Sequence, residues 1–228
     1  MFLFSKKNEF KKIDTLNEGK YIAFTNVSLG YDKNIILRDI NLNINFGEKK
    51  FIGLVGKNGS GKTTLINSCL GLISPLDGSI RVSKKNTSYV PDTDFLWGDL
   101  SVENCISIFN KLDNTDWSAI LESYLDISSL SGQLIKDLSF GQNKRVQLFF
   151  SLMNRPSFLV LDEPFIGLDR YQKEKILCLF AELKKHLTIL ASFHEKIQNP
   201  ELIDEYILIK DKKVIRVEKS ETDIFSLI

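Results

Sequence analysis

The residues with the clearest chemical promise form the run Gly56-Lys57-Asn58-Gly59-Ser60-Gly61-Lys62-Thr63, which fits the pattern G-x-x-x-x-G-K-[ST]. In that pattern glycines let the backbone turn tightly, so that successive N–H groups face phosphate oxygens, and the following helix adds its positive N-terminal end. Lys62 would reach the terminal phosphates of a nucleoside triphosphate, and the Thr63 hydroxyl would ligate magnesium. A second group closes an apolar run, Phe158-Leu159-Val160-Leu161, with the acids Asp162 and Glu163. A carboxylate delivered to the carboxyl edge of a parallel sheet beside a phosphate loop suits magnesium, which makes Asp162 the metal-side candidate. Glu163, one residue on, can turn toward an attacking water and orient or deprotonate it. Taken alone, two acids before Pro164 also admit the reading of a solvated strand end, although function is favoured. Beside Lys62 they read as half of a hydrolytic site.

These groups need a rigid frame, and the apolar patterning supplies one. Phe51-Ile52-Gly53-Leu54-Val55 is a short continuous apolar run of the kind buried on both faces in a parallel sheet, and it ends where the phosphate loop begins. Similar runs occur at Phe158–Leu161, Thr188–Ala191 and Tyr206–Ile209, with helical patterns before or between them, which predicts an α/β core. Upstream, Ile40 to Phe46 alternates apolar and polar residues with period two, so Tyr21–Phe46 reads as half-buried antiparallel structure. Sheet type is therefore expected to change near Gly47. Leu65, Ile66, Cys69 and Leu70 mark the apolar face of the helix after the loop. From about Phe95 to Asp137 strand patterns are absent, and Cys105, Ile108, Phe109 and Leu112 fall at i, i+3, i+4 and i+7, predicting a helical insertion.

Composition bounds the alternatives. The 228 residues, 43% apolar, carry 30 Lys+Arg against 29 Asp+Glu, so the broad cationic field of non-specific nucleic-acid binding is missing and no nucleic acid is expected as a partner. The longest stretch without a charge, Thr63–Leu76, includes Asn67, Gly71, Ser74 and Pro75 and falls short of the ~18 apolar residues of a membrane span. Cys69, Cys105 and Cys178 are far apart, without a CxxC pair or a neighbouring histidine cluster, which supports neither a disulfide framework nor a zinc site. The lysine-rich residues 1–20 lack a sustained period and are expected to be a loosely ordered extension.

A family comes into view at Leu138-Ser139-Phe140-Gly141-Gln142, which resembles the LSGGQ signature of ATP-binding cassette (ABC) ATPases. Ser139 followed by Gln142 is also a capping-box pattern, and Val146, Phe149, Phe150 and Met153 form an apolar stripe on the helix it opens. Further marks follow in family order. Tyr31 resembles the aromatic that stacks on adenine, Ile166-Gly167-Leu168-Asp169 resembles the D-loop, and Ser192-Phe193-His194 resembles the switch-histidine segment. The other histidine, His186, sits among lysines and reads as a surface residue. Two positions depart from the family pattern. Asp92, after Tyr89-Val90-Pro91, stands where the family usually has a glutamine, and Phe140 replaces the first glycine of the signature.

The resemblance covers roughly Tyr21 to Val217 and implies a phosphate-loop α/β cassette. Its mixed sheet core would carry an antiparallel β subdomain and a helical subdomain, about 95–155, inserted between the phosphate loop and the signature. Residues 21–228 would form the ATPase domain. Tyr31, Gly56, Asn58, Gly59, Ser60, Gly61, Lys62, Thr63 and Thr64 would then bind ATP, and Thr63, Asp162 and Asp92 would face Mg2+. Glu163 would activate water, with Lys62 and His194 at the γ-phosphate. Ser139, Gly141, Gln142 and Asp169 would complete a second cassette's site in trans, in a homodimer or a heterodimer. Hydrolysis would drive a separate integral membrane permease, placing the chain peripherally on the cytoplasmic face of the membrane. The run Leu100–Phe109 and the acid at 92 resemble exporter cassettes of the drug, peptide and polysaccharide type, which favours export. Phe95, Leu96 and Trp97 would either offer the docking contacts or be buried in the lobe's own core. The competing expectation is a soluble ABC ATPase that works on a protein assembly without a transporter.

Overall fold

The structure is a computed structural model, and it describes residues 13–14, 21–82, 86–93, 96, 98–110, 116–194, 196, 199–218 and 224–227. The described residues form two sheets. The smaller has four strands in the order β1-β5-β2-β3, built from β1 (Ile13–Asp14), β2 (Tyr21–Tyr31), β3 (Asn34–Asn45) and β5 (Asp77–Val82). β2 pairs antiparallel with β3 and β5, and the β2–β3 turn at Asp32 and Lys33 has φ of 45° and 71°, the two positive values that a tight hairpin needs. Within the stretch read as a loose extension, Ile13 and Asp14 pair in parallel with Ile80 and Arg81.

The larger sheet has six strands in the order β10-β9-β4-β8-β7-β6. These are β4 (Phe51–Gly56), β6 (Thr87–Val90), β7 (Phe158–Leu161), β8 (Thr188–Phe193), β9 (Glu205–Lys210) and β10 (Lys213–Glu218). All neighbours pair in parallel except β10, which runs antiparallel to β9. β4, β7 and β8 are buried along their whole length, as continuous apolar runs demand when both faces of a parallel sheet are covered. The parallel strands all end at one edge, so β4 delivers Gly56, β6 delivers Pro91 and Asp92, β7 delivers Asp162, and β8 delivers His194 to the same rim.

Among the described residues five α-helices cover this frame: α1 (Lys62–Cys69), α2 (Val102–Asn110), α3 (Asp116–Leu125), α4 (Phe140–Met153) and α5 (Arg170–Leu183). One apolar cluster joins α1, the small sheet and one face of the large sheet, where Phe46 stacks on Phe158 with ring centroids 4.3 Å apart. The other joins α2 to α5 with the opposite face and includes Val146, Phe149, Phe150 and Met153 of the α4 stripe. The α1 face is buried at Leu65, Ile66 and Cys69, with Leu70 partly covered. On α2 the expected stripe is narrower than the spacing suggested. Cys105 is buried, but Ile108 is 48% exposed, because α2 meets the core along Val102 and Cys105 and turns Ile108 outward. Leu112 lies outside the described residues, as does the side chain of Phe109.

Candidate functional site

Between β4 and α1 the chain folds back on itself at residues 57–61. Gly61 caps α1 at φ +108°, and a Cβ there would lie 2.9 Å from Ile36 Cγ2 and 3.1 Å from Leu37, so only glycine fits. Lys62 then starts the helix with its side chain almost wholly buried. Its Nζ donates to the Gly56 carbonyl at 2.9 Å and stands 3.6 Å from Glu163 Oε1. Thr63 Oγ1 donates to Asp162 Oδ2 at 2.9 Å, bringing together a hydroxyl and a carboxylate from positions 99 residues apart.

Ser192, at the end of β8, holds the other side of the acid pair. Its Oγ donates to Asp162 Oδ1 at 2.6 Å and accepts the Glu163 backbone N–H at 2.8 Å. Glu163 itself has φ +49°, a left-handed conformation uncommon for a residue other than glycine. That backbone turn aims the carboxylate away from Asp162 and toward His194, whose Nδ1 lies 2.6 Å from Glu163 Oε2. The four groups Lys62, Asp162, Glu163 and His194 thus form one connected array. Tyr89, on β6, lies behind it, and burial together with the charges of Asp162 and Asp92 pushes its phenol up to about 12.

A cavity of about 650 Å³ opens over this array, lined by Asn58, Gly59, Gly61, Lys62, Thr63, Thr64, Asp92, Asp162, Glu163 and His194, with Ile36 and Ile166 as its apolar wall. A neighbouring cavity of about 410 Å³ shares Ile36, Asn58 and Gly59 with it and adds Ser60, Asn34 and residues 209–212 of the β9–β10 turn. The loop, the acids, the histidine and Asp92 therefore converge. Tyr31 does not. It is 46% exposed at the end of β2, beside Asn34 but outside both linings, because the hairpin turn follows at once and leaves it at the rim.

The signature residues also lie outside this cavity. Ser139 and Gln142 form a reciprocal cap at the start of α4, with Ser139 N–H donating to Gln142 Oε1 at 2.8 Å and Gln142 N–H donating to Ser139 Oγ at 3.3 Å. Gly141 is buried against Gln172 and Leu168, and Asp169 caps α5 by accepting the Gln172 N–H at 2.8 Å. Of the expected docking contacts, Leu96 packs partly on the core, while Phe95 and Trp97 lie outside the described residues. His186 is exposed on the surface.

The donors that face magnesium would be the Thr63 hydroxyl and the carboxylates of Asp162 and Asp92, all hard oxygens that suit the ion. Among the described residues no group of three or more His, Cys, Asp or Glu side chains is arranged to hold a metal alone. Such a sparse protein donor set fits an ion that keeps several waters and shares its coordination with substrate phosphates. Bound there, magnesium would neutralise phosphate charge. Two lining residues, Ile36 and Ile166, and the bridging Ser192 have site positions that sequence motifs alone did not assign. Ser192 could have been found from strand register, since Leu161 pairs with Ala191 and the next residues, Asp162 and Ser192, must then be neighbours.

A parallel sheet with phosphate loop, acid pair and histidine at one edge defines a nucleotide-hydrolysing cassette. Residues 37–166 match the ABC transporter family, and the chain belongs to the ATP-binding subunits of that family, which are ATPases. It is 30% identical over 207 residues to an uncharacterised ABC transporter ATP-binding protein of Methanocaldococcus jannaschii, covering 88% of this chain and 78% of that one. It is 29% identical to the manganese transport system ATP-binding protein of Bacillus subtilis, covering 90% and 89%. Other relatives are named for zinc import, spermidine/putrescine import and export. In fold it is similar to a solved ATP-binding subunit of an ABC transporter, with a TM-score of 0.77, 22% identity and coverage of 87% and 90%.

Proposed function

We propose that this chain binds Mg2+-ATP in the cavity above Lys62 and hydrolyses it with Glu163 as general base, as one half of a dimer that drives a separate membrane permease. The array Lys62–Glu163–His194 is the observation that carries this reading. Lys62 balances charge at the terminal phosphate, Glu163 takes a proton from the attacking water, and His194 holds the Glu163 carboxylate in line. Ser139, Gly141, Gln142 and Asp169 lie away from their own chain's cavity, at the outward starts of α4 and α5, which suits service to a second copy or a second cassette. Loss of the γ-phosphate then removes the contacts favouring the closed dimer, and the halves part.

No helix among the described residues is long and apolar enough to cross a membrane. The family match supports a membrane permease as the driven partner, with this chain peripheral on the cytoplasmic face. The match to a transporter family favours this over a soluble assembly ATPase. Export is supported by Asp92 and by the exporter-like run Leu100–Phe109. Import is the second reading, favoured by relatives named for manganese transport and zinc import. Glu163→Gln tests the mechanism. It should lower hydrolysis by roughly 10²- to 10⁴-fold and accumulate an ATP-bound dimer on size exclusion. A variant that stays monomeric with ATP and hydrolyses at the wild-type rate refutes the proposal.

A further inference from the structure

The first two turns of α4 are fastened on two sides. Lys144, 4% exposed, sends its Nζ to the Pro91 carbonyl at 2.6 Å, immediately before Asp92. One turn earlier, the Phe140 ring lies on the 166–169 loop so closely that a Cβ on Gly167 would come within 2.3 Å of Phe140 Cδ1 and 2.9 Å of Cε1. Gly167 has φ +71°, and the same Lys144 Nζ sits 6.0 Å from the centre of the Phe140 ring. Both fastenings end next to residues that wall the phosphate cavity, Asp92 on one side and Ile166 on the other. Between them α4 begins with Ser139 and Gly141, and the loop ends in Asp169.

We infer that Phe140 and Lys144 form a clasp that makes the start of α4, the Asp92 segment and the 166–169 loop move as one body, with Phe140 the positioning residue for Ser139 and Asp169. The inference rests on the proposed trans role of those two residues. Phe140 remains 44% exposed, so core burial does not account for a large aromatic where a hydrogen would suffice. Its ring lies instead against Gly167 of the 166–169 loop. Holding Ser139 and Asp169 in fixed relation before two cassettes meet spares the ordering of two separate loops at the moment of closure. It also gives the chain's own cavity, through Asp92 and Ile166, a route for setting how it presents itself to its partner.

A double-mutant cycle on ATP hydrolysis tests the clasp. Gly167→Ala adds a methyl both against the ring and in a left-handed conformation, and should lower kcat by roughly 30-fold or more while leaving KM for ATP within about twofold. In a Phe140→Gly background only the backbone strain remains, and the same change should cost about fivefold. Phe140→Gly alone should lower kcat, and Phe140→Leu, which keeps side-chain bulk on Gly167, should recover most of the loss. A Gly167→Ala chain that folds only in the Phe140→Gly background also supports the clasp. Equal effects of Gly167→Ala in both backgrounds, or a Phe140→Gly enzyme as active as wild type, overturn it. If the Glu163→Gln chain forms an ATP-bound dimer while the cycle is additive, the clasp fails and the dimer mechanism stands. If no ATP-bound dimer forms, the mechanism itself fails.

Discussion

Ser192→Ala is the substitution whose effect the geometry fixes most closely. One hydroxyl makes two bonds, donating a buried one to Asp162 Oδ1 and accepting a partly buried one from the Glu163 N–H, and Asp162 is only 2% exposed. Deleting it removes a hydrogen bond to a charged group, which contributes about 1.5–3 kcal/mol, and leaves a backbone donor short of its partner at about 1–3 kcal/mol. The two terms share one oxygen and partial relaxation is expected, so the loss of folding stability should be about 3 kcal/mol. Urea unfolding at constant m-value reads this directly. Function should fall too, since Ser192 supports the carboxylate that would face magnesium, and loss of such outer partners typically costs about 10- to 100-fold in metal affinity or activity. The expected signature is a raised Mg2+ requirement in a steady-state ATPase assay. Stability within about 0.5 kcal/mol of wild type, together with unchanged Mg2+ dependence, would refute the bridging role, because surface-like substitutions stay within that range.

Thiol chemistry gives a second check: Cys178 is exposed, Cys69 and Cys105 are buried, and burial pushes the Cys69 thiol up to about 12 and Cys105 upward as well. Thiol reagents at pH 8 should therefore modify one cysteine in the folded chain and three after urea. Gly61→Ala should abolish nucleotide binding in fluorescence titration with an ATP analogue, since the added carbon collides with Ile36 and Leu37. The pair Glu48–Lys50 sets a pH dependence. The hydrogen bond to Lys50 holds the Glu48 carboxyl below its ordinary 4.5, and the same bond raises Lys50 above 10.5. Its stabilisation is thus present between those values, is lost as pH falls through the lowered Glu48 value, and is lost as pH rises through the raised Lys50 value. Thermal melts of Lys50→Ala against wild type should differ at pH 7 and converge at pH 2.

The large sheet was legible because continuous apolar runs such as Phe158–Leu161 have few alternatives to a doubly covered strand, and the period-two run at Ile40–Phe46 announced the antiparallel sheet. The phosphate loop and the acids were legible for another reason: their chemistry is written in residue type and local spacing. What stayed hidden depends on contacts between distant segments. Spacing could not show that Ile108 faces outward, because the period of a helix gives a stripe but not what it meets. Nor could it give Ser192 its bridging role, which needs the β7–β8 register, or reveal the Phe140 ring on Gly167. Tyr31, singled out for its resemblance to an adenine-stacking aromatic, stands exposed at the rim, outside the linings of both cavities, a placement that only the β2–β3 turn could give.

The position of β4 in its sheet has a consequence for how the chain is made. The strand that carries the phosphate loop has both neighbours far downstream, Phe51 pairing with Ile189 and Ile52 with Glu205. At translation speeds of about 5–20 residues per second, its apolar edges must wait roughly 7 to 30 s for a partner. During that time Phe51–Val55 is an unpaired sticky edge, and the loop after it has no floor. The nascent chain should therefore be open to aggregation and should not bind ATP until synthesis passes β8. Truncation before that point should give an aggregation-prone product lacking the completed site, so the enzyme switches on only when nearly the whole chain has emerged.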